Sequence, residues 1–368
     1  MLELLALAFA IVHFGFPLAY YWYAKAKWLR KPWNLRLDED YRPRITVILP
    51  TYNEAGLIMD RLNNIYAQDY PRDLIEVVVV DSASSDGTPL IVEEWARKHL
   101  DFNVKIVREA VRRGKLHALN TALKQVRPES EIVIFTDADA FWDEDTLGKI
   151  VGYLSDPEVG SVTGNIFYVS TDVPLNENVY RSYYNVLRVA ESKKFATPIH
   201  NGPLLAVRAK LLQQTGLPSY PGSDDSSFGS LVAFMGYRAI QADNVLVKEP
   251  VRGSQFTRKI RRAQHLLLNF LETKRYAKSL GVYVKSSFDK IWRIEWWLHV
   301  LNPWLLVASF LVLMISFMLY RSVVALMLIS VGLVLLTLKS FRTWILQQIY
   351  LIVGLVRNLW TKDIMWNK

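Results

Sequence analysis

Asp137 and Asp139 stand one residue apart in IVIFTDADAFW (Ile132–Trp142), directly after a run of apolar β-formers. In extended backbone the side-chain period of two puts both carboxylates on one side. There they serve as a turn and helix cap, or they hold a bound group. Three more polar motifs have the same placement. PTYNE (Pro50–Glu54) ends RITVILP, DSASSDGT (Asp81–Thr88) closes IEVVVVD, and RRGKLHALN (Arg112–Asn120, with Lys115) follows VKIVRE. Each has a structural explanation when taken singly: a helix start for PTYNE, a type I turn and Thr cap for SDGT, a solvated first-turn position for Lys115. Four polar motifs at four consecutive strand ends are not accounted for together in that way, and imply one ligand-binding crevice.

The elements that position them are readable. The four apolar runs are β-branched, of strand length, and show little polar alternation, as strands covered on both faces do. Between them, Leu57–Ala67, Pro89–His99 and Lys115–Val126 have helical spacing. The alternation implies an α/β fold with a mostly parallel sheet, whose ligands bind at the carboxyl ends of the strands.

Apolar residues concentrate at both ends of the 368-residue chain. Leu2–Tyr23 is long enough to cross a bilayer, and Glu3 and His13 are its only ionisable side chains. Its acidic start does not fit a cleaved signal peptide. The aromatic belt Tyr20–Tyr23 and the basic cluster Lys25, Lys27, Arg30 and Lys31 place its far end at the cytoplasmic interface. Trp297–Tyr320 and Ser322–Leu338 read as a hairpin turning at Arg321, and Trp344–Val356 as an interfacial or re-entrant helix or a fourth crossing. Gln255–Tyr276 and Trp292–Trp304 have the composition of helices in the headgroup layer, although Gln255–Tyr276 could also fold onto the soluble body. The net charge of +9 fits anionic lipid, phosphate or nucleic acid. Because the basic residues flank membrane segments, lipid phosphate accounts for them more simply and no nucleic-acid partner is expected. The absence of cysteine excludes disulfides and thiolate metal sites.

PTYNE, VVVVDSASSDGT, RRGKLHALN and FTDAD in this order resemble the inverting GT-A glycosyltransferases of family 2, over about Arg44–Arg262. That family includes the cellulose, chitin and hyaluronan synthases and the polyisoprenyl-phosphate sugar transferases. The flanking helices look like its membrane-embedded, cellulose-synthase-like branch in reduced form, most like an archaeal dolichol-pathway mannosyltransferase. The resemblance implies a GT-A Rossmann-like sheet with helices on both faces, interfacial amphipathic helices and about three transmembrane helices. The expected division is an N-terminal transmembrane helix (1–24), a basic linker (25–43), a cytoplasmic catalytic domain (44–253), interfacial helices (254–296), a transmembrane hairpin (297–338) and a C-terminal interfacial or fourth membrane helix (339–368).

It also implies site residues. Pro50, Thr51, Tyr52, Glu54 and Asp81 would cradle base and ribose of a nucleotide sugar. Lys115, with a divalent ion at Asp137 and Asp139, would neutralise the diphosphate. Hard oxygen ligands suit Mg²⁺ or Mn²⁺. Asp139 is expected to coordinate directly, and Asp137 to meet the metal, a water or a sugar hydroxyl. HNGPLLAVR (His200–Arg208) resembles the family's acceptor strand, with His200, Asn201 and Gly202 at the acceptor. GSDDSSFGSLVAFMGYR (Gly222–Arg238) matches its acidic pair, which makes Asp225 the general base beside Asp224; an acidic helix start favoured by the dipole is the plainer reading of that pair.

One departure is informative. Processive synthases carry Q-x-x-R-W or Q-R-x-R-W on the interfacial helix; here the run is Arg258-Lys259-Ile260-Arg261-Arg262. The lost Trp weakens the grip on a polymer, while Arg258 and Arg261 suit donor phosphate and Arg262 an acceptor phosphate. The expected reaction is transfer of one hexose, best matched by mannose from GDP-mannose rather than a UDP-sugar. The expected acceptor is dolichyl phosphate, another polyisoprenyl phosphate or a lipid-linked glycan. The alternative is a processive UDP-sugar polysaccharide synthase.

Overall fold

The computed structural model describes residues 1–168, 175–218, 220, 224–250 and 255–361. Its centre is an eight-stranded sheet in the order β3-β2-β1-β4-β7-β6-β8-β5. Strands β1 (Ile45–Thr51), β2 (Ile75–Asp81), β3 (Asn103–Arg108) and β4 (Ile132–Phe135) form a parallel half. The short β5 (Phe141–Trp142) pairs antiparallel with β8 (Arg238–Glu249), β6 (Val159–Tyr168) parallel with β8, and β7 (Leu205–Arg208) antiparallel with both β4 and β6. Six strands therefore share one direction, and the expected mostly parallel sheet is present.

Side-chain alternation divides the core in two. Val47, Leu49, Val77 and Val79 face α2 (Ile58–Tyr66), α3 (Thr88–Lys98) and α5 (Thr146–Tyr153). Ile48, Val78 and Val80 face α4 (Lys115–Leu123), α7 (Ala209–Thr215), α8 (Asp224–Phe234) and α9 (Gln255–Ser279). Every residue of β2 is buried, which is why its sequence is an unbroken apolar run. The edge strand β3 is only half-covered.

Outside the sheet lie α1 (Leu2–Ala24), α6 (Leu175–Lys194), α10 (Phe288–Trp296), α11 (Asn302–Tyr320), α12 (Val323–Leu335) and α13 (Lys339–Arg357). Among the described residues two helices are long and apolar enough to cross a membrane, Leu2–Leu29 and Phe288–Tyr320, or up to three spans if the bent pair α12 and α13 counts as one. Leu4, Ile11, Leu319 and Val334 are among many large apolar side chains left exposed on them. A contiguous surface of that kind is suited to lipid. Glu3 and His13 turn inward to α11: Ser316 donates to Glu3, and the His13 ring lies 2.9 Å from the Asn302 carbonyl. Polar groups in a membrane helix face a partner helix in this way.

Two expectations change. Residues 288–320 form one continuous 33-residue helix, so Trp292–Trp304 is not a separate interfacial element and the expected 296/297 boundary falls inside a rod about 50 Å long. The second hairpin arm is also shorter than expected. α12 has 13 residues, about 20 Å against the ~30 Å hydrocarbon core. The chain then bends by 103° into α13, so 339–357 is a helix angled across the end of α12. Residues 362–368 lie outside those described.

Candidate active site

The loops after β1 and β2 are zipped together. Amide hydrogens of Asn53, Glu54 and Ala55 donate to Ser84 Oγ, Thr88 Oγ1 and Asp86 Oδ2, and Ser85 N returns a bond to Asn53 Oδ1, all at 2.8–2.9 Å. Asn53 and Ala83 hold positive φ of 53° and 57°, strained backbone of the sort concentrated at functional sites. Burial pushes the Asp86 carboxyl up, but the Thr88 hydroxyl and the Ala55 and Thr88 amides outweigh it and hold it below its ordinary value.

Asp81 is buried and pins the two loops, accepting from Thr51 Oγ1 at 3.2 Å and Ser84 N at 3.0 Å. Both its oxygens therefore have protein partners. Pro50 and Thr51 close β1 opposite Val80 and Asp81, and Tyr52 stacks under Arg112, whose Cζ lies 3.7 Å from the ring centroid. That contact joins the third loop to the first.

Lys115, the first residue of α4, joins the third loop to the fourth: its Nζ lies 2.9 Å from Asp137 Oδ1. β4 ends at Phe135, and Asp137–Ala140 form a turn closed by Ala140 N donating to Asp137 O at 3.3 Å. The turn expected of these acids is present, and Asp137 on it is paired across to Lys115. Asp137 and Asp139 are half-buried between buried Ala138 and Ala140. Burial pushes Asp137 up; Lys115, then Arg262 and Arg258, override it and hold the carboxyl below its usual value.

The segment after α6 completes the crevice. A Cβ placed on Gly202 would meet Asp225 Oδ2 at 3.1 Å and Lys115 Nζ at 3.4 Å. Gly202, Asp225 and Lys115 line one narrow cleft together with Leu119, Phe135, Leu205 and Leu217. Asp225 lies at the start of α8, with Oδ1 accepting from Ser226 N at 2.7 Å. Ser226 Oγ in turn accepts from His200 N at 3.1 Å and donates to His200 O at 3.2 Å, which fixes the segment leading into β7 against α8. Asp224 opens α8; its side chain and residues 221–223 of the motif lie outside those described.

His200 and Asn201 lie behind the crevice rather than in it. His200 is buried against Gly229, whose Cβ would come within 2.3 Å of the ring, and neither ring nitrogen has a hydrogen-bond partner. Burial, helped by Arg188, pushes it down to about 3, so the ring is neutral. Asn201 Nδ2 donates to Gly164 O at 2.8 Å, and its Oδ1 accepts from Arg188 at 3.1 Å. Both residues shape the turn that presents Gly202, ahead of β7. On α9, Arg258, Arg261 and Arg262 recur at helical spacing, and Arg262 Nη2 lies 3.8 Å from buried Glu249. The fields of Arg258 and Arg262 reach Asp137, so the helix presents cations to the mouth of the crevice.

Arg61 escaped the sequence reading. It is fully buried on α2 beneath the two acids, with Cζ 3.9 Å from the Trp142 ring centroid and Nη2 donating to Thr136 Oγ1 at 2.8 Å. Burial pushes it down to about 9 against the pull of Asp137 and Asp139, which leaves it charged at neutral pH. Its signal was positional: Ile58, Arg61, Leu62 and Ile65 fall at i, i+3, i+4 and i+7, so the arginine occupies an apolar-face position.

Among the described residues no group of three or more His, Asp, Glu or Cys side chains surrounds the acids. The donor set is two hard carboxylates beside several cations. That fits a small divalent ion held by one or two carboxylates and completed by substrate phosphate and water.

The glycosyl transferase family 2 model matches residues 46–216, and the glycosyl transferase family group 2 model matches residues 132–339. The mannosyltransferase PcManGT from Pyrobaculum calidifontis, solved with GDP-Man and Mn²⁺, superposes with a TM-score of 0.86 at 46% identity, over 99% of this chain and 100% of that one. The glycosyltransferase AglE of Haloferax volcanii is 29% identical over 57% of this chain and 68% of its own. The poly-beta-1,6-N-acetyl-D-glucosamine synthase of Staphylococcus epidermidis is 33% identical over 40% of this chain, which spans about a third (34%) of that relative. With its GT-A sheet, four strand-end loops and facing acidic helix, the chain belongs to glycosyl transferase family 2 and is an inverting-type hexosyltransferase.

Proposed function

We propose that the protein is a membrane-anchored mannosyltransferase that takes one mannose from GDP-mannose and gives it, with inversion, to a lipid acceptor. That acceptor is dolichyl phosphate, a related polyisoprenyl phosphate or a dolichyl-linked glycan. In this reading residues 44–253 are the catalytic domain on the cytoplasmic face, α9 lies in the headgroup layer, and α1 and the rod are the anchors. The observation that carries it is the convergence at Gly202, where Asp225 Oδ2 and Lys115 Nζ, the latter paired with Asp137, both border the same glycine. An inverting transfer needs that geometry, a carboxylate at the acceptor oxygen and cations at the departing diphosphate.

In the proposed reaction the acceptor oxygen bonds the anomeric carbon as the bond to the diphosphate breaks. A hydroxyl acceptor gives its proton to Asp225; an ionised phosphate acceptor has none to give and is oriented by it. Lys115 takes up charge on the leaving group, Arg258, Arg261 and Arg262 neutralise phosphate at the mouth, and Arg61 steadies the acids from below. The first two loops cradle the nucleoside, with Tyr52 and Glu54 nearest and Asp81 shaping the cradle. Asp139 and Asp137 would hold a divalent ion, Mn²⁺ being the one in the solved relative; when bound it supplies further neutralisation of the diphosphate.

A donor screen in membranes tests this reading: GDP-mannose is turned over, UDP-sugars are not, and EDTA stops the reaction. The second reading, a processive UDP-sugar polysaccharide synthase, draws on the likeness to the poly-beta-1,6-N-acetyl-D-glucosamine synthase of S. epidermidis. Turnover of UDP-sugars in place of GDP-mannose, or turnover indifferent to EDTA, contradicts the first.

A further inference from the structure

The turn that ends in Gly202 is held from behind by one helix. Arg188 and Glu191 lie three residues apart on α6, which puts them on one face. Arg188 Nη1 donates to Asn201 Oδ1 at 3.1 Å, and Glu191 Oε2 accepts from Thr197 Oγ1 at 2.8 Å. Thr197 and Asn201 are both buried and bracket the segment that runs into Gly202. That segment is therefore gripped at both ends by α6. Asp225 Oδ2 and Lys115 Nζ border the glycine itself, so the position of α6 sets the room beside them.

The same helix is tied to both membrane anchors. Tyr20 of α1 donates to Glu191 Oε1 at 2.7 Å, and the Glu295 carboxyl of the rod shares a hydrogen bond with Glu191. Further ties to the N-terminal helix run along α6: Tyr183 stacks on Tyr21 with ring centroids 4.4 Å apart, and Lys193 Nζ donates to the Leu29 carbonyl at 3.3 Å. Glu191 and Glu295 are both buried. Apolar side chains would seal such a junction at least as stably as buried carboxyl groups. What the polar groups add is a defined register, because each hydrogen bond is met in a narrow range of geometry.

We propose that Arg188 and Glu191 are positioning residues for transfer to the acceptor, fixing residues 197–202 to the two membrane anchors. The inference rests on the lipid-acceptor reading above and deepens it. A lipid acceptor reaches the crevice at a height that the bilayer sets, and this linkage holds the turn beside Asp225 to the same reference.

The test uses the full chain in liposomes, with labelled GDP-mannose as donor, dolichyl phosphate and dolichyl-linked mannose as acceptors, and a titration of GDP for donor-site affinity. Arg188→Met should lower kcat for transfer about 10- to 100-fold, as small misplacements near a reacting centre do, while the Kd for GDP stays within about twofold of wild type. Arg188→Lys, which keeps a cation and a donor, should recover most of the loss. Thr197→Val removes only the hydroxyl bonded to Glu191. It should lower kcat about fivefold, the factor of one hydrogen bond, with GDP affinity unchanged, and it decides the matter where Arg188→Met does not fold. Unchanged transfer by Thr197→Val, no recovery in Arg188→Lys, or loss of GDP binding in step with turnover overturns the proposal. Wild-type turnover measures the underlying reading separately. No labelled lipid from the wild type removes that reading and the proposal with it, whereas a normal wild type with unaffected variants removes the proposal alone.

Discussion

Lys115 Nζ lies 2.9 Å from Asp137 Oδ1, so the first residue of α4 and the turn after β4 form one charged unit at the base of the crevice. In the proposed reaction the pair puts a cation where a departing diphosphate needs one. Lys115→Met should lower kcat about a hundred- to a thousandfold, the range for removing one preorganised electrostatic contact, with the melting temperature little changed. Steady-state turnover of GDP-mannose beside a thermal melt checks this; a rise in KM alone would assign Lys115 to ground-state binding.

In the proposed reaction Asp225 serves the acceptor and not the donor. Asp225→Asn should keep nucleotide binding and lose about 10²–10⁴-fold in transfer to a hydroxyl acceptor, the usual span for general-base removal. Transfer to a polyisoprenyl monophosphate should fall far less, because that oxygen arrives ionised. Parallel assays with the two acceptor types, with nucleotide binding measured on the same protein, read the difference.

Arg61 holds the floor through Thr136 and Trp142. Arg61→Met should destabilise the fold by about 3–5 kcal/mol, as loss of one member of a buried charge network does. Arg61→Lys should not restore it, since an ammonium cannot reproduce the guanidinium fork. Chemical denaturation of the three proteins decides, and a lysine variant of wild-type stability would remove the assigned role.

His200 makes stability acid-sensitive. Its folded value is about 3 against an ordinary 6.5, so between those values the unfolded chain binds a proton that the folded chain does not. Stability should fall by about 1.4 kcal/mol for each pH unit below 6.5. His200→Leu, which leaves no orphaned nitrogen, should melt near wild type at pH 7.5 and lose less on going to pH 5. Melting curves at the two pH values check the sign; an unchanged pH slope would contradict it.

The parallel half of the fold was legible because β1, β2 and β4 are buried on both faces and write that fact as nearly continuous apolar runs. The crevice was legible because each motif directly follows such a strand. Asn201 and His200 sit one and two positions before Gly202 in the segment that precedes β7, and their contacts with Arg188 and α8, not residue type, turn them behind the crevice. Arg61 was hidden because an arginine in a helix reads as solvated until its place on the apolar face is noticed. The rod and the short α12 were misdivided because hydropathy continues through Trp297 and through the bend at 336–338, where backbone geometry changes and composition does not.

The most direct measurement of the account is product analysis with protein in liposomes, labelled GDP-mannose, Mn²⁺ and a lipid-linked glycan acceptor. A lipid product carrying a single added mannose, of anomeric configuration opposite to the donor's, is the predicted result. A growing polysaccharide, or a product that retains the donor configuration, would contradict it.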